Sequence, residues 1–217
     1  MPQKFPLKAA IFDFDGTLGD SMWVWDEVDR EFARRRNLEF GQEEAVTIAS
    51  LGFEGTAAYL LEHFGLDETV EDLIAEWYSI AMDKYAHEVV LKPGAAEYLR
   101  NLKEQGVPMG VATSLRRTLL EPALKNNEVI DLFDAIVVCE EIGDQGKRTP
   151  AVYLETAKLM GVDLADCVVF EDVVAAAQSA KQGGAHVVGV VDNNKQQDFA
   201  ALEEAVDFLI SDFEDLL

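Results

Sequence analysis

From about Leu91 to the C-terminus the chain alternates short apolar runs with amphipathic stretches, and no other feature restricts its fold as much. Residues 107–113, 135–139, 167–170 and 186–190 read as strands, with a short last strand at 208–210. The intervening residues 95–104, 117–125, 151–160, 173–182 and 199–205 read as helices. Strands that alternate with helices of this length predict a parallel sheet with helices on both faces. The apolar run Ala9-Ala10-Ile11-Phe12 adds a first, buried strand. The expected fold class is therefore α/β, a doubly wound, Rossmann-like parallel-sheet core. Its ligand site should lie at the C-terminal ends of the strands.

The stretch between Asp20 and Val90 is different and shows no strand pattern. Trp25, Val28 and Phe32 recur at helical spacing, as do Ala57, Leu60, Leu61 and Phe64. A further helical pattern covers residues 70–85, with Leu73, Ile74, Trp77 and Tyr78 as its apolar positions. Lys92-Pro93-Gly94 then punctuates a return to the core. The expected organisation is a core of residues 1–18 and 91–217 with a helical insert at 19–90.

A chain of 217 residues, 49% of them apolar, has enough material for such a core plus an insert. Its formal net charge is −23, from 41 acidic and 18 basic residues. That field disfavours nucleic acid and anionic membranes as partners. It also means that a site for an anionic substrate must supply its own positive charge. Cys139 and Cys167 both fall in apolar strand-like runs and read as buried, reduced thiols rather than a disulfide. The N-terminus lacks an apolar signal core and no stretch approaches a membrane span, so a cytoplasmic location is expected.

Chemistry-bearing residues gather at the strand ends. The first strand runs into Asp13-Phe14-Asp15-Gly16-Thr17-Leu18. Alternate residues share a face of a strand, and Gly16 lets the backbone turn away. Two crowded carboxylates repel unless a cation sits between them or one is protonated. Such a pair suits a metal-assisted reaction with one Asp as nucleophile and the other as acid/base. Transfer of a phosphoryl group would also need donors, a fixed cation and further oxygen ligands for a metal. Thr113-Ser114 follows one strand and Gly143-Asp144-Gln145-Gly146-Lys147 the next, and Glu171-Asp172 ends a third. Each is ordinary alone; their joint occurrence at strand ends is what points to a site.

In these four ordered motifs the chain resembles the haloacid dehalogenase-like superfamily, in the branch of phosphatases and β-phosphoglucomutase-like enzymes with a helical cap after the first motif. The resemblance spans essentially the whole chain. It implies Asp13 as the nucleophile that becomes an aspartyl phosphate, and Asp15 as the acid that protonates the leaving alcohol and then activates water. It further implies that Thr113, Ser114 and Lys147 hold phosphoryl oxygens. The same resemblance implies Mg²⁺ bound by the Asp13 carboxylate, the Asp15 backbone carbonyl and Asp172, with Glu171 close by or acting through water. The partner implied is a small phosphorylated metabolite, a sugar or other phosphomonoester. Oligomeric state is left open, and a monomer is compatible with everything read.

The chain departs from the family pattern in places. Arg148 follows Lys147 where many relatives carry Pro, and Val173 and Ala176 replace the usual Ser and Gly after Glu171-Asp172. Asp15 is present, which argues against the dehalogenating branch. The β-phosphoglucomutase-like branch typically has a His where this chain has Trp25, and an Arg in the cap loop that here reads Leu51-Gly52-Phe53-Glu54-Gly55-Thr56. A phosphatase is therefore expected over a phosphomutase. A receiver-like phospho-acceptor is disfavoured by the insert and by the close Asp pair. Trp23, Trp25 and Phe53 are the cap candidates for substrate specificity. Residues two apart cannot share a helix face, so one of Trp23 and Trp25 is expected in the core and the other facing the active-site cleft, beside Phe53.

Overall fold

The computed structural model describes residues 7–41, 44, 51, 53–143, 146–192 and 197–217. The chain divides into two compact units, one made of the chain up to Met22 together with Ala86–Leu217, the other of Trp23–Tyr85. Among the described residues the strands are β1 (Ala9–Phe12), β2 (Gly19–Asp20), β3 (Val90–Leu91), β4 (Met109–Thr113), β5 (Ala135–Val138), β6 (Cys167–Glu171), β7 (His186–Val190) and β8 (Phe208–Ile210). The helices are α1 (Trp23–Arg36), α2 (Phe53–Phe64), α3 (Val70–His87), α4 (Ala95–Glu104), α5 (Arg117–Asn126), α6 (Ala151–Met160), α7 (Val174–Gln182) and α8 (Phe199–Ala205).

Six strands of the first unit form one parallel sheet in the order β5-β4-β1-β6-β7-β8. The chain moves outward from β1 through β4 to β5, then crosses to β6 on the other side. The reversal leaves a crevice where β4 and β6 flank the end of β1, the place where a doubly wound sheet takes its ligand. All four residues of β1 are fully buried because both faces of the sheet are covered. Ala9 and Ile11 join a cluster with Val152, Tyr153 and Ala157 of α6 and Ala177 and Ala180 of α7. On the opposite face Phe12 stacks on Phe170 at 4.7 Å and meets Tyr98 of α4 edge-on at 6.5 Å. The period of two thus separates two apolar layers across one strand.

The doubly wound class read from the sequence is the observed one, with small differences at element ends. The strand expected from 107 begins at Met109, because the Val107 N–H still closes α4 by donating to Leu102. The strand expected through 139 stops at Val138, where Cys139 opens a 3₁₀ turn. The strand expected to end at 170 continues to Glu171, which pairs with Gly189. One feature was not expected: β2 and β3 form a two-residue antiparallel pair, Gly19 with Leu91 and Asp20 with Val90. Both cysteines are free and buried. No helix among the described residues is long and apolar enough to cross a membrane.

The second unit is helical among its described residues. Val24, Val28, Phe32 and Ala33 of α1 are buried, as are Thr56, Ala57 and Leu60 of α2 and Leu73, Trp77, Ile80, Ala81 and Tyr85 of α3. Phe32 meets Trp77 at 5.6 Å, so the core tryptophan of this unit is Trp77. The expectation that one of Trp23 and Trp25 is a core residue is not met: both are half-buried. The buried stripe of α1 runs through Val24, Val28 and Phe32, and Trp23 and Trp25 flank it on either side. Trp25 does lie beside Phe53, with ring centres 5.2 Å apart. Gly52 lies outside the described residues.

Candidate active site

Asp13 leaves β1 still in ladder with its neighbour, its N–H donating to the Phe170 carbonyl at 3.1 Å. It is the next residue on the Ala9–Ile11 face, and it is 6% exposed. Glu171 and Asp172 emerge beside it from the adjacent strand β6, at 0% and 4% exposure. Carboxylate oxygens of Asp13, Glu171 and Asp172 all lie within 4.8 Å of one another. Lys147 reaches this group from the loop after β5. Its Nζ sits 2.6 Å from Asp13 Oδ1 and 2.5 Å from Glu171 Oε1. The contact to Glu171 is a hydrogen bond; that to Asp13 is an ion pair outside hydrogen-bond geometry, and Asp13 Oδ1 has no hydrogen-bond partner.

Backbone conformation makes these approaches possible. Gly16 has φ +73°, and a Cβ there would stand within 3 Å of the Asp172 carboxylate. Glycine is needed for both reasons. Lys147 itself has φ +39°, a region that side chains other than Gly seldom occupy. The departure from the family's usual Lys-Pro pair therefore does not keep Lys147 from the carboxylates. Asp144 and Gln145 of this loop lie outside the described residues.

The local electrostatics follow from burial. Burial works against the Lys147 charge, but Asp13 and Glu171 outweigh it and hold its pKa above the ordinary lysine value. Burial, with help from Asp13 and against Lys147, pushes Glu171 up to about 7. Burial and then the charges of Asp13 and Glu171 raise Asp172 well above the carboxylate range. Fully ionised, three carboxylates and one ammonium carry two excess negative charges. A divalent cation matches that excess, and the buried, unpartnered Glu171 Oε2 is an oxygen with unused coordinating capacity. Asp13, Glu171 and Asp172 thus fit a hard divalent ion such as Mg²⁺.

The other expected residues stand around this cluster. Asp15 is half-buried, and its carboxylate is held by Ser21 Oγ, which donates to Oδ1 at 2.6 Å. Its side chain is not one of the three clustered carboxylates. Thr113 ends β4, next to β1, and is 1% exposed; its Oγ1 accepts from the Leu115 N–H at 3.1 Å, as in a capping turn. Ser114 is exposed, with Oγ 3.6 Å from Cys139 Sγ. Trp23, Trp25 and Phe53 belong to the helical unit.

Sequence reasoning missed a supporting set. Thr17 Oγ1 donates to Asp172 Oδ1 at 3.1 Å, and Tyr153 Oη donates to Glu171 Oε1 at 2.7 Å. Burial and then Glu171 keep the Tyr153 phenol well above its usual pKa, so it remains a donor. Gln197 Nε2 donates to the Asp172 and Val190 carbonyls, each at 3.0 Å. Thr17 lies inside the first motif and was in view. Tyr153 and Gln197 gave no signal, because an aromatic on a helix and an amide in a loop read as core and surface.

A family model described as haloacid dehalogenase-like hydrolase matches residues 10–190. The chain belongs to the haloacid dehalogenase-like hydrolases. It is 30% identical over 208 residues to the validoxylamine A 7'-phosphate phosphatase of Streptomyces hygroscopicus subsp. limoneus, covering 94% of this chain and 93% of that one. It is 29% identical over 205 residues to the bifunctional riboflavin kinase/FMN phosphatase of Arabidopsis thaliana, where it covers 92% of this chain and spans about half of the relative's length, 53%. Among solved structures, one described as a putative β-phosphoglucomutase from Thermotoga maritima superposes with a TM-score of 0.84 at 24% identity, covering 97% of each chain. That likeness shows the fold. The family membership makes this haloacid dehalogenase-like protein an enzyme of the hydrolase class.

Proposed function

We propose that this hydrolase is a Mg²⁺-dependent phosphatase acting on a small phosphomonoester, a sugar phosphate or similar metabolite, through an aspartyl-phosphate intermediate. The observation that carries the reading is the buried Asp13–Lys147–Glu171–Asp172 cluster at the topological switch of the sheet. Asp13, Glu171 and Asp172 would hold the Mg²⁺, which when bound offsets negative charge on the phosphoryl oxygens. The Asp15 backbone carbonyl would add a further ligand.

Asp13 attacks phosphorus; an O–P bond forms to its carboxylate as the bond to the substrate's alcohol oxygen breaks. Asp15 delivers a proton to that departing oxygen. In the second half, water attacks the phosphorus of the aspartyl phosphate while Asp15 takes a proton from it, releasing phosphate and restoring Asp13. Ser21 fixes the Asp15 carboxylate for both transfers. Lys147, Thr113 and Ser114 bind phosphoryl oxygens, and Lys147 supplies positive charge inside a chain of net charge −23. Relatives named as phosphatases for FMN and for validoxylamine A 7'-phosphate support a phosphomonoester substrate. Trp23, Trp25 and Phe53 are the specificity candidates within the helical unit.

A panel of phosphometabolites assayed with Mg²⁺ tests this, with β-glucose 1-phosphate included and both free phosphate and glucose 6-phosphate measured. Phosphate release that falls by about 10³-fold or more in Asp13→Asn is the expected result. Isomerisation faster than phosphate release would overturn the phosphatase assignment in favour of a phosphomutase.

A further inference from the structure

Lys92 precedes Pro93-Gly94 at the return to the core and has no part in the reaction set out above, yet it is only 8% exposed. Its N–H donates to the Leu18 carbonyl at 2.8 Å, directly after the β2–β3 pair. Its Nζ donates to the Val191 carbonyl at 2.9 Å and to Asp192 Oδ2 at 2.8 Å. The Asp192 side chain is equally buried. Taking two charges out of water costs about as much as their pairing returns, so such a pair is better explained by what it fixes than by net stability. What it fixes here is the chain just beyond β7. The Asp192 N–H donates to Gln197 Oε1 at 2.8 Å, and Gln197 Nε2 donates to the Val190 and Asp172 carbonyls, each at 3.0 Å. These partners also determine the amide's orientation, since two carbonyls need its protons and the N–H needs its oxygen.

Glu171 and Gly189 form the last pair of the β6–β7 ladder, so Gln197 joins the two strands one residue beyond it. It holds the main chain of Asp172, while Thr17 holds the carboxylate at 3.1 Å. Both restraints act against a repulsion. A carboxylate oxygen of Asp172 lies within 4.8 Å of one from Asp13 and one from Glu171, and like charges push apart. With its main chain unrestrained, Asp172 would retreat from the other two, and a cation would have to reassemble the site as it bound. We propose that Gln197, anchored by the buried Lys92–Asp192 pair, is a positioning residue that sets the Mg²⁺ affinity of the cluster, a role that rests on the reading of Asp13, Glu171 and Asp172 as a Mg²⁺ site. Gln197 touches neither substrate nor metal in this role; it acts through the backbone of Asp172.

Calorimetric titration of the full chain with magnesium chloride, without substrate, tests this. Wild type should bind Mg²⁺ saturably and Asp172→Asn should lose that binding. Gln197→Met keeps the reach of the side chain and removes its hydrogen bonds, and its Mg²⁺ affinity should fall at least about tenfold. Lys92→Met combined with Asp192→Asn removes both buried charges but leaves the residue-192 N–H for Gln197, so it perturbs the same anchor from the other end; affinity should fall several-fold. Thermal unfolding without Mg²⁺ establishes that each variant is folded, and the rise in Tm on adding Mg²⁺ should shrink in step with affinity. Glu76→Ala, in the helical unit, controls for general destabilisation and should bind Mg²⁺ as wild type does. No Mg²⁺ binding by wild type, or full binding by Asp172→Asn, would overturn the metal site and the role of Gln197 with it. Wild-type affinity in Gln197→Met, with the Asp172→Asn loss intact, would overturn that role alone. Wild-type affinity in the Lys92, Asp192 double variant would overturn the anchor, and an equal loss in Glu76→Ala would reduce the effect to stability and overturn the positioning role.

Discussion

Tyr153 shows how much the candidate site depends on residues that never touch a phosphoryl group. Glu171 Oε1 receives two donors, Lys147 Nζ and Tyr153 Oη, while Oε2 receives none. This asymmetry aims one oxygen at the cation and frees the other for a metal. Tyr153→Phe removes one donor without opening a large cavity, so Glu171 loses orientation and part of its charge stabilisation. About tenfold weaker Mg²⁺ binding is expected by calorimetry, with a stability loss of about 1–3 kcal/mol in urea. Unchanged Mg²⁺ affinity would show that Tyr153 only fills space. Asp29 behaves in the opposite sense. Burial, aided by Asp26, pushes it up to about 6 from an ordinary value of 3.8. A raised carboxyl pKa means the folded state binds more protons between those values, so wild-type stability falls as pH rises through that window. Asp29→Asn lacks this loss. It should be more stable than wild type by about 1 kcal/mol at pH 7.5. The difference should vanish below about pH 4. A variant no more stable at neutral pH would contradict the assigned environment.

At the scale of elements, legibility followed the length and periodicity of the signal. Helices α4 and α6 match the residues expected from apolar spacing, because each covers the sheet with one stripe. Strand ends shifted by one or two residues where a neighbouring turn claimed a backbone group, as Val107 does for α4. The β2–β3 pair was illegible, since two residues carry no period. Asp13, Lys147, Glu171 and Asp172 could be picked out because each ends or follows a strand, whereas Tyr153, Ser21 and Gln197 could not, since their roles depend on approaches between distant segments. The Arg34-Arg35-Arg36 run reads from sequence as a solvated helix end. The structure gives it a further task. Arg36 lies 4.1 Å above the Phe32 ring and bonds Glu68 and Glu76, while Arg35 also reaches Glu76, tying α1 to α3. Burial opposes the Glu76 charge, but hydrogen bonds from Arg36 and Arg35 outweigh it and lower its pKa. The stabilisation is therefore present above the ordinary glutamate pKa of 4.5 and is lost as pH falls through the lower folded value. Glu76→Ala should cost about 1–2 kcal/mol at pH 7, with the difference shrinking on acidification. A pH-independent loss would point to packing instead.

At the scale of the whole molecule, a catalyst for phosphate esters with a net charge of −23 faces a kinetic problem. Its local cation, Lys147, is buried and already shared between Asp13 and Glu171, so it exerts little pull at long range. The summed field repels a dianionic substrate during encounter and attracts the divalent cation that the cluster fits. These two effects respond oppositely to salt and can be separated. With Mg²⁺ held saturating at every point, raising NaCl shortens the screening length from about 30 Å at 0.01 M to about 8 Å at 0.15 M. Substrate repulsion weakens, and kcat/KM should rise several-fold, mainly through KM, because chemistry in the buried cluster is screened far less. Subsaturating Mg²⁺ should give the reverse trend, since salt then weakens metal capture. An uncharged inhibitor of the same site would show neither slope. If kcat/KM at saturating Mg²⁺ falls with salt instead, the substrate is drawn in by a local positive field strong enough to overcome the net charge, and cationic groups beyond Lys147 must face the approach to Asp13.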